Sequence, residues 1–184
     1  MINVLDIHGY GSDANSSTGQ EIRKNLPETF KVFTLSFSND YHLFKSMSDN
    51  IDEARKLIKA HKIDLIVASS MGAFIAMGCA DIPKILINPC MLPSQQLKLR
   101  IAPTITETEL DKYRDYENAL VASNNDRLLT YGLFSTNDEL FSYKSFFESR
   151  YSADNVRIIN DQHRISANSI QNGLIPLIKR IVCD

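Results

Sequence analysis

Residues 64–76 read Asp64-Leu65-Ile66-Val67-Ala68-Ser69-Ser70-Met71-Gly72-Ala73-Phe74-Ile75-Ala76. An apolar, β-branched run passes straight into a helical run, with only small residues at the corner. This is the strand–turn–helix setting of a nucleophile elbow, G-x-S-x-G, whose sharp turn strains one residue and lifts its side chain above the sheet. Positions two before and two after that residue must be small, because strand and helix approach closely there. For Ser70 they are Ala68 and Gly72; for Ser69 they would be Val67 and Met71, which would clash. Ser70 is therefore the candidate nucleophile, with Ala68 in place of the usual glycine but meeting the same steric demand. The plainer alternative is a serine-rich turn that only begins a helix.

Outward from the corner, apolar runs alternate with segments of helical period. Strands are expected at Ile2–Ile7, Lys31–Leu35, Asp64–Ser69, Lys84–Ile87, Leu128–Phe134 and Val156–Ile159. Continuously apolar runs such as Leu65-Ile66-Val67 indicate a sheet covered on both faces. Phe44, Met47, Ile51, Ala54 and Ile58 mark one face of a helix running to about Ala60. Gly19–Leu26 reads as a short helix stopped by Pro27, and Glu139–Tyr151 as a later one. A terminal helix from Ile170 should be bent or interrupted at Gly173 and Pro176. The alternation argues a single α/β domain over residues 1–184, with about six mostly parallel strands. From Asn88 to about Asn125 no strand is expected, and Thr106–Arg114 reads as a charged helix. That stretch is either a surface crossover or a small helical cap over the carboxyl edge of the sheet.

Composition narrows the function classes. The chain has 184 residues, 20 Lys+Arg, 22 Asp+Glu and a formal charge of −2, without the basic excess of a nucleic-acid-binding surface. Cys79, Cys90 and Cys183 are scattered, with no CxxC pair, and fit reduced thiols better than a disulfide framework or zinc site. No metal site is expected, since there is no HExxH and no His/Cys cluster. Neither a signal peptide nor a membrane span is visible, so the expected location is the cytoplasm.

A nucleophilic serine needs a base, and the base an orienting acid. His42 and His61 read as solvated surface residues. His163 follows the last expected strand, where an α/β sheet places reactive groups; its plainer reading is an exposed loop histidine. Asp138 follows the preceding strand, 25 positions earlier with one helix and one strand between, so both should emerge at the same edge from neighbouring strands. Asp161 is a weaker acid candidate, since a separation of two residues in a short loop gives poor approach to the ring, and Glu139 is expected to cap the following helix. The order Ser70, Asp138, His163 is one known for serine hydrolases.

Charge building on a carbonyl oxygen calls for an oxyanion hole. The Met71 amide, next to the nucleophile, and the Tyr10 amide in His8-Gly9-Tyr10-Gly11-Ser12 are the expected donors. Gly9 and Gly11 let the backbone approach the substrate, and His8 reads as a positioning residue. The loop is no phosphate cradle, since it opens no GxxxxGK[ST].

With HGYGS after the first strand, ASSMGAFIA at the corner, IPKILINPCMLP, STNDELFSYKSFFESRY and INDQHRI, the chain resembles the α/β-hydrolase superfamily from end to end. Within it, the sequence is similar to the small bacterial YqiA-type esterases, Asn88-Pro89, Pro93 and Asp138-Glu139 being the more specific features. The resemblance implies a shortened α/β-hydrolase fold lacking the first two strands. It also implies Ser70, Asp138 and His163 as triad, Tyr10 and Met71 amides as oxyanion hole, and cofactor-free esterase or thioesterase activity on acyl substrates. Ala68 and Asp161-Gln162 depart from the family's glycines.

The expected function is thus hydrolysis of short to medium acyl esters or thioesters through an acyl-enzyme. A hydrolase-fold protein that binds a ligand without turnover is the alternative. A thiol enzyme using Cys90 lacks an elbow. A small cap, the aromatics Tyr10, Tyr113 and Tyr116, and few basic residues at the loops suggest a shallow, open site for a modest, uncharged acyl group. Oligomeric state is not legible.

Overall fold

A computed structural model of the chain describes residues 1–120 and 124–183. In chain order its elements are β1 (Ile2–Ile7), α1 (Ser17–Asn25), β2 (Phe30–Thr34), α2 (Phe44–His61), β3 (Leu65–Ser69), α3 (Met71–Met77) and β4 (Lys84–Ile87). There follow α4 (Pro93–Gln96), a π-helical turn (Leu97–Ile101), α5 (Glu107–Ala119), α6 (Asn124–Leu129), β5 (Thr130–Asn137) and α7 (Lys144–Arg150). A short 3-10 turn, β6 (Val156–Gln162), α8 (Ala167–Ser169), a second π-helical turn (Ile170–Leu174) and α9 (Ile175–Cys183) complete it. The strands form one sheet in the order β2-β1-β3-β4-β5-β6, and every neighbouring pair is parallel.

The two-residue period of a strand sorts the apolar runs onto two faces. Leu5, Ile7, Ile66, Ala68, Leu86 and Phe134 share a buried cluster with α2, α3, α5 and α7. Val4, Leu65, Val67, Ile85, Ile87 and Leu133 share the other with Ile22 of α1 and with Leu174, Ile175, Leu177 and Ile178. Leaving β1, the chain moves outward to β2, then returns across β1 to β3. This reversal opens a crevice beyond the carboxyl ends of β1 and β3, where open α/β sheets bind ligands.

Local chemistry sets the element ends. Ser16 caps α1 by accepting the Gly19 amide at 3.0 Å, with Arg23 and Lys24 in its last turn. Thr106 caps α5 in the same way. Lys62, at φ 47°, closes α2 in a left-handed conformation.

The structure corrects several expected bounds. Leu128 belongs to α6, not β5, and the buried Asp126 of that helix pairs with the buried Lys84 Nζ at 2.9 Å. The helix expected over Glu139–Tyr151 shrinks to α7, because the Asp138 carboxylate takes the amides of Leu140 and Phe141 at 2.8 and 3.0 Å and holds 139–143 in a loop. Gly173 lies in the second π-helical turn, so the terminal helix is interrupted as expected. Between residues 88 and 125 no described residue is in a strand; residues 121–123 lie outside the described residues. No helix among the described residues is long and apolar enough to cross a membrane.

Candidate active site

Ser70 alone makes the corner between β3 and α3, at φ 53° and ψ −121°. A non-glycine residue there stores strain on the order of 1–3 kcal/mol, and the surroundings must hold it. They do so from β4, the segment after it and α3: the Ser70 amide donates to Ile87 O at 3.0 Å, and Ser70 O accepts from Cys90 N at 3.0 Å and Ala73 N at 3.1 Å. The small neighbours are demanded as expected. A Cβ on Gly72 would come within 2.4 Å of the carbonyl oxygens of both Ile7 and His8. Ala68 is fully buried.

Strand register brings the other two candidates together. Asn137, the last residue of β5, pairs with Gln162, the last of β6, so Asp138 and His163 leave the sheet side by side. His163 Nδ1 lies 3.0 and 3.1 Å from the Asp138 oxygens, and His163 Nε2 lies 3.0 Å from Ser70 Oγ. Burial raises the Asp138 pKa, but hydrogen bonds from His163, Leu140 and Phe141 outweigh it, so the group sits below its ordinary value.

The His163 peptide is also gripped from both sides. Glu139 does not cap a helix; its carboxylate accepts the His163 amide at 3.0 Å, and that bond holds its pKa low. Asn88, buried at the end of β4, donates to His163 O at 2.8 Å. Asp161 turns away from the ring: it accepts Ser166 N and Oγ at 2.7 and 2.8 Å, and its pKa falls to about 2 as these bonds and one from Ser169 overcome burial.

The sequence matches the model of the Uncharacterised protein family (UPF0227) over residues 3–179, nearly its whole length. The chain belongs to that family. This UPF0227 member has the α/β-hydrolase fold anticipated from its motifs, and the family is the YqiA-like one. Est1E from Butyrivibrio proteoclasticus superposes with a TM-score of 0.71 at 15% identity, over 100% of this chain and 89% of that one. Alpha/beta hydrolase domain-containing protein 10 from mouse gives 0.70 at 13% identity, over 98% and 89%. The esterase domain of a Rhodothermus marinus protein gives 0.68 at 14% identity, over 97% and 87%. At such identities the likeness is one of fold. A search of curated proteins by sequence finds no match.

Above Ser70 and His163 lies a cavity of about 910 Å³, walled by the Gly9–Ser12 loop, by Leu99, Arg100 and Ile101, and by Leu140 and Phe141. It has room for more than a short acyl chain. Of the segment between β4 and β5, the π-helical turn reaches this cavity, while α5 packs on α2 and α4. Tyr113 and Tyr116 are therefore not site aromatics. Tyr113 is fully buried, its ring 5.0 Å from that of Phe44 and its hydroxyl donating to Tyr41 O, and Tyr116 packs on Phe44 and Phe74. Tyr10 lines the cavity, as do Gly9 and Gly11. The aromatic that touches His163 is Phe141, edge-on at 5.0 Å, which the expected helix had concealed.

His8 is buried at the base of the Gly9–Ser12 loop, with its ring stacked 4.2 Å from Phe37 and its Nδ1 2.9 Å from Gly9 O. His42 and His61 are exposed, as expected. Cys90 is buried, and burial pushes its thiol far up. A second cavity, about 620 Å³, lies between residues 36–38, in the loop after β2, and α2, and its Arg55 and Lys56 are paired with Asp52 and Glu53.

Proposed function

We propose that this chain is a serine hydrolase of carboxylic esters or thioesters. The observation that carries the reading is the continuous relay from the strained Ser70 corner through His163 to Asp138, with contacts of 3.0, 3.0 and 3.1 Å. In it, His163 Nε2 takes the Ser70 Oγ proton as Oγ attacks the acyl carbonyl. The Nδ1 proton stays on the imidazole, held by Asp138, whose depressed pKa keeps it ionised beside the developing imidazolium. The oxyanion is received by the amides of Met71 and Tyr10. Met71 opens α3, where an N–H has no partner within its own helix. Each such donor supplies about 2.7–4 kcal/mol to the transition state. His163 then returns its proton to the leaving alcohol or thiol, and water attacks the acyl-enzyme with His163 again as base.

The chemistry calls for no cofactor. In this reading Leu97–Ile101 is the part of the 88–125 segment that serves as the cap, and His8, Gly9, Gly11 and Gly72 support the loop and corner. The substrate is a small acyl compound and the location the cytoplasm, where Cys79, Cys90 and Cys183 stay unpaired.

A fluorophosphonate probe tests this directly. The wild type should be labelled and Ser70→Ala should not. Equal labelling of both would remove the assignment, and an unlabelled wild type would favour a silent ligand-binding protein.

A further inference from the structure

The chain as a whole carries 22 acidic against 20 basic residues, yet the wall of the Ser70 cavity reverses that balance. Two arginines, Arg100 and Arg164, line it against a single carboxylate, Asp13. Asp13 is occupied by its own loop, its Oδ1 accepting the Asn15 amide at 2.7 Å. The arginines come from unrelated segments, Arg100 from the π-helical turn and Arg164 from the residue after His163. Arg100 Nε donates to Gln96 Oε1 at 3.1 Å, which orients the side chain while leaving both Nη groups without a partner among the described residues. Arg164 has no hydrogen bond or ion pair with any described residue.

Away from this cavity, the exposed Lys59, Lys62, Lys179 and Arg180 also have no carboxylate partner among the described residues, while several other surface cations are paired. Lys45, Arg55, Lys98, Lys112, Arg114 and Lys144 each have a carboxylate partner. A guanidinium presents a planar fork that matches a carboxylate or phosphate in two parallel hydrogen bonds. Two such forks at the wall of a cavity larger than a short acyl chain requires form a receptor for an anion.

We propose that the substrate carries an anionic group, a carboxylate or phosphate, which docks on Arg100 and Arg164 while its acyl carbonyl lies at Ser70. This rests on the serine-hydrolase reading for the place of the carbonyl, but not for the anion. It replaces the uncharged substrate expected from the sequence, because the two arginines come to one cavity only in the folded chain.

Binding to the Ser70→Ala protein tests it without turnover. Calorimetry would compare p-nitrophenyl valerate with mono-p-nitrophenyl glutarate, which places a carboxylate on the acyl half. It would also compare phenyl valerate with p-carboxyphenyl valerate, which places it on the leaving group. In at least one pair the anionic member should bind about tenfold tighter, and Arg100→Gln with Arg164→Gln should remove that advantage. Equal binding within both pairs, no binding of either anionic ester, or an advantage that survives both substitutions would overturn the proposal. Both side chains are exposed, so the double variant should melt at the temperature of its parent. Turnover of p-nitrophenyl valerate by wild type but not by Ser70→Ala tests the hydrolase reading separately, and its failure would leave the binding comparison intact.

Discussion

The side-chain amide of Asn88 donates to the carbonyl oxygen of His163 at 2.8 Å, tying the end of β4 to the loop after β6. The same amide donates to Ser135 Oγ at 2.8 Å and Gln162 O at 3.2 Å, and Asn88 Oδ1 accepts the Ser135 amide at 2.8 Å. One buried residue, held at φ 42°, thus joins the carboxyl ends of three strands. With Glu139 on the His163 amide, both backbone polar groups of His163 are claimed by side chains.

Asn88→Ala should therefore do more than destabilise. It leaves a part-buried amide and carbonyls without their partner, at a cost of about 0.5–1.5 kcal/mol for each bond, and it frees the His163 loop to drift. A shift near 1 Å in a reacting group costs on the order of a hundredfold in rate. Well below its melting point, the variant should lose roughly ten- to a hundredfold in kcat with KM little changed. Asn88→Asp keeps the bond from the Ser135 amide but cannot donate to the two carbonyls, so it should share the kcat loss. A lower melting temperature with kcat intact would reduce Asn88 to a structural role.

Asp138 follows β5 and Asp161 lies near the end of β6, and the two face different partners. Asp138→Asn should present the wrong hydrogen-bonding pattern to His163 Nδ1 and lower kcat by about 10⁴. Asp161→Asn should lose part of its bonding to Ser166 and leave kcat within a factor of a few. Steady-state kinetics on one activated ester, with both variants checked for folding, separates the two. Comparable kcat losses would mean that the acid has been assigned to the wrong carboxylate.

Gly72 and Gly11 test the corner in opposite ways. A Cβ at Gly72 would meet backbone oxygens of Ile7 and His8, which cannot rotate aside. Gly72→Ala should cost about 1–3 kcal/mol, and it should depress activity further by pushing Ser70 and the Gly9–Gly11 loop apart. A Cβ at Gly11 meets nothing within 4 Å, but φ there is +71°, so Gly11→Ala should cost about 1 kcal/mol of backbone strain. Thermal melting beside kcat for the pair reads out the difference.

Much of this architecture was legible because it obeys short-range rules. The Ser70 corner is set by residues two positions away. The meeting of Asp138 with His163 follows once each is placed just past a strand. Strand ends were less visible: β5 runs on to Asn137 and β6 to Gln162 because their polar residues still pair, though they read as loop. The grip of Glu139 on His163 spans 24 residues, and the Arg100–Arg164 wall joins segments 64 positions apart. No local pattern encodes such contacts. Asn88 came closest, singled out beside Pro89 but without the three-strand role that only the parallel register gives it.

Asp6 supplies the pH dependence. It lies on β1 beneath the start of α1, almost wholly buried, and burial raises its pKa to about 6 although Ser16, Arg23 and Thr34 all pull it down. The unfolded chain releases this proton near 3.8. Between these two values the folded protein holds a proton that the unfolded chain has lost, so this group's contribution to stability falls as pH rises from about 4 to 6. Above that window the buried anion is carried in full, a penalty of up to about 3 kcal/mol for a shift near 2 units. Asp6→Asn stays neutral and can still accept from Ser16. It should match the wild type near pH 4, exceed it by up to that amount near pH 7, and show a flatter profile between. Urea unfolding at both pH values measures this. A variant no more stable than wild type near pH 7 would mean that the bonds to the carboxylate outweigh its burial.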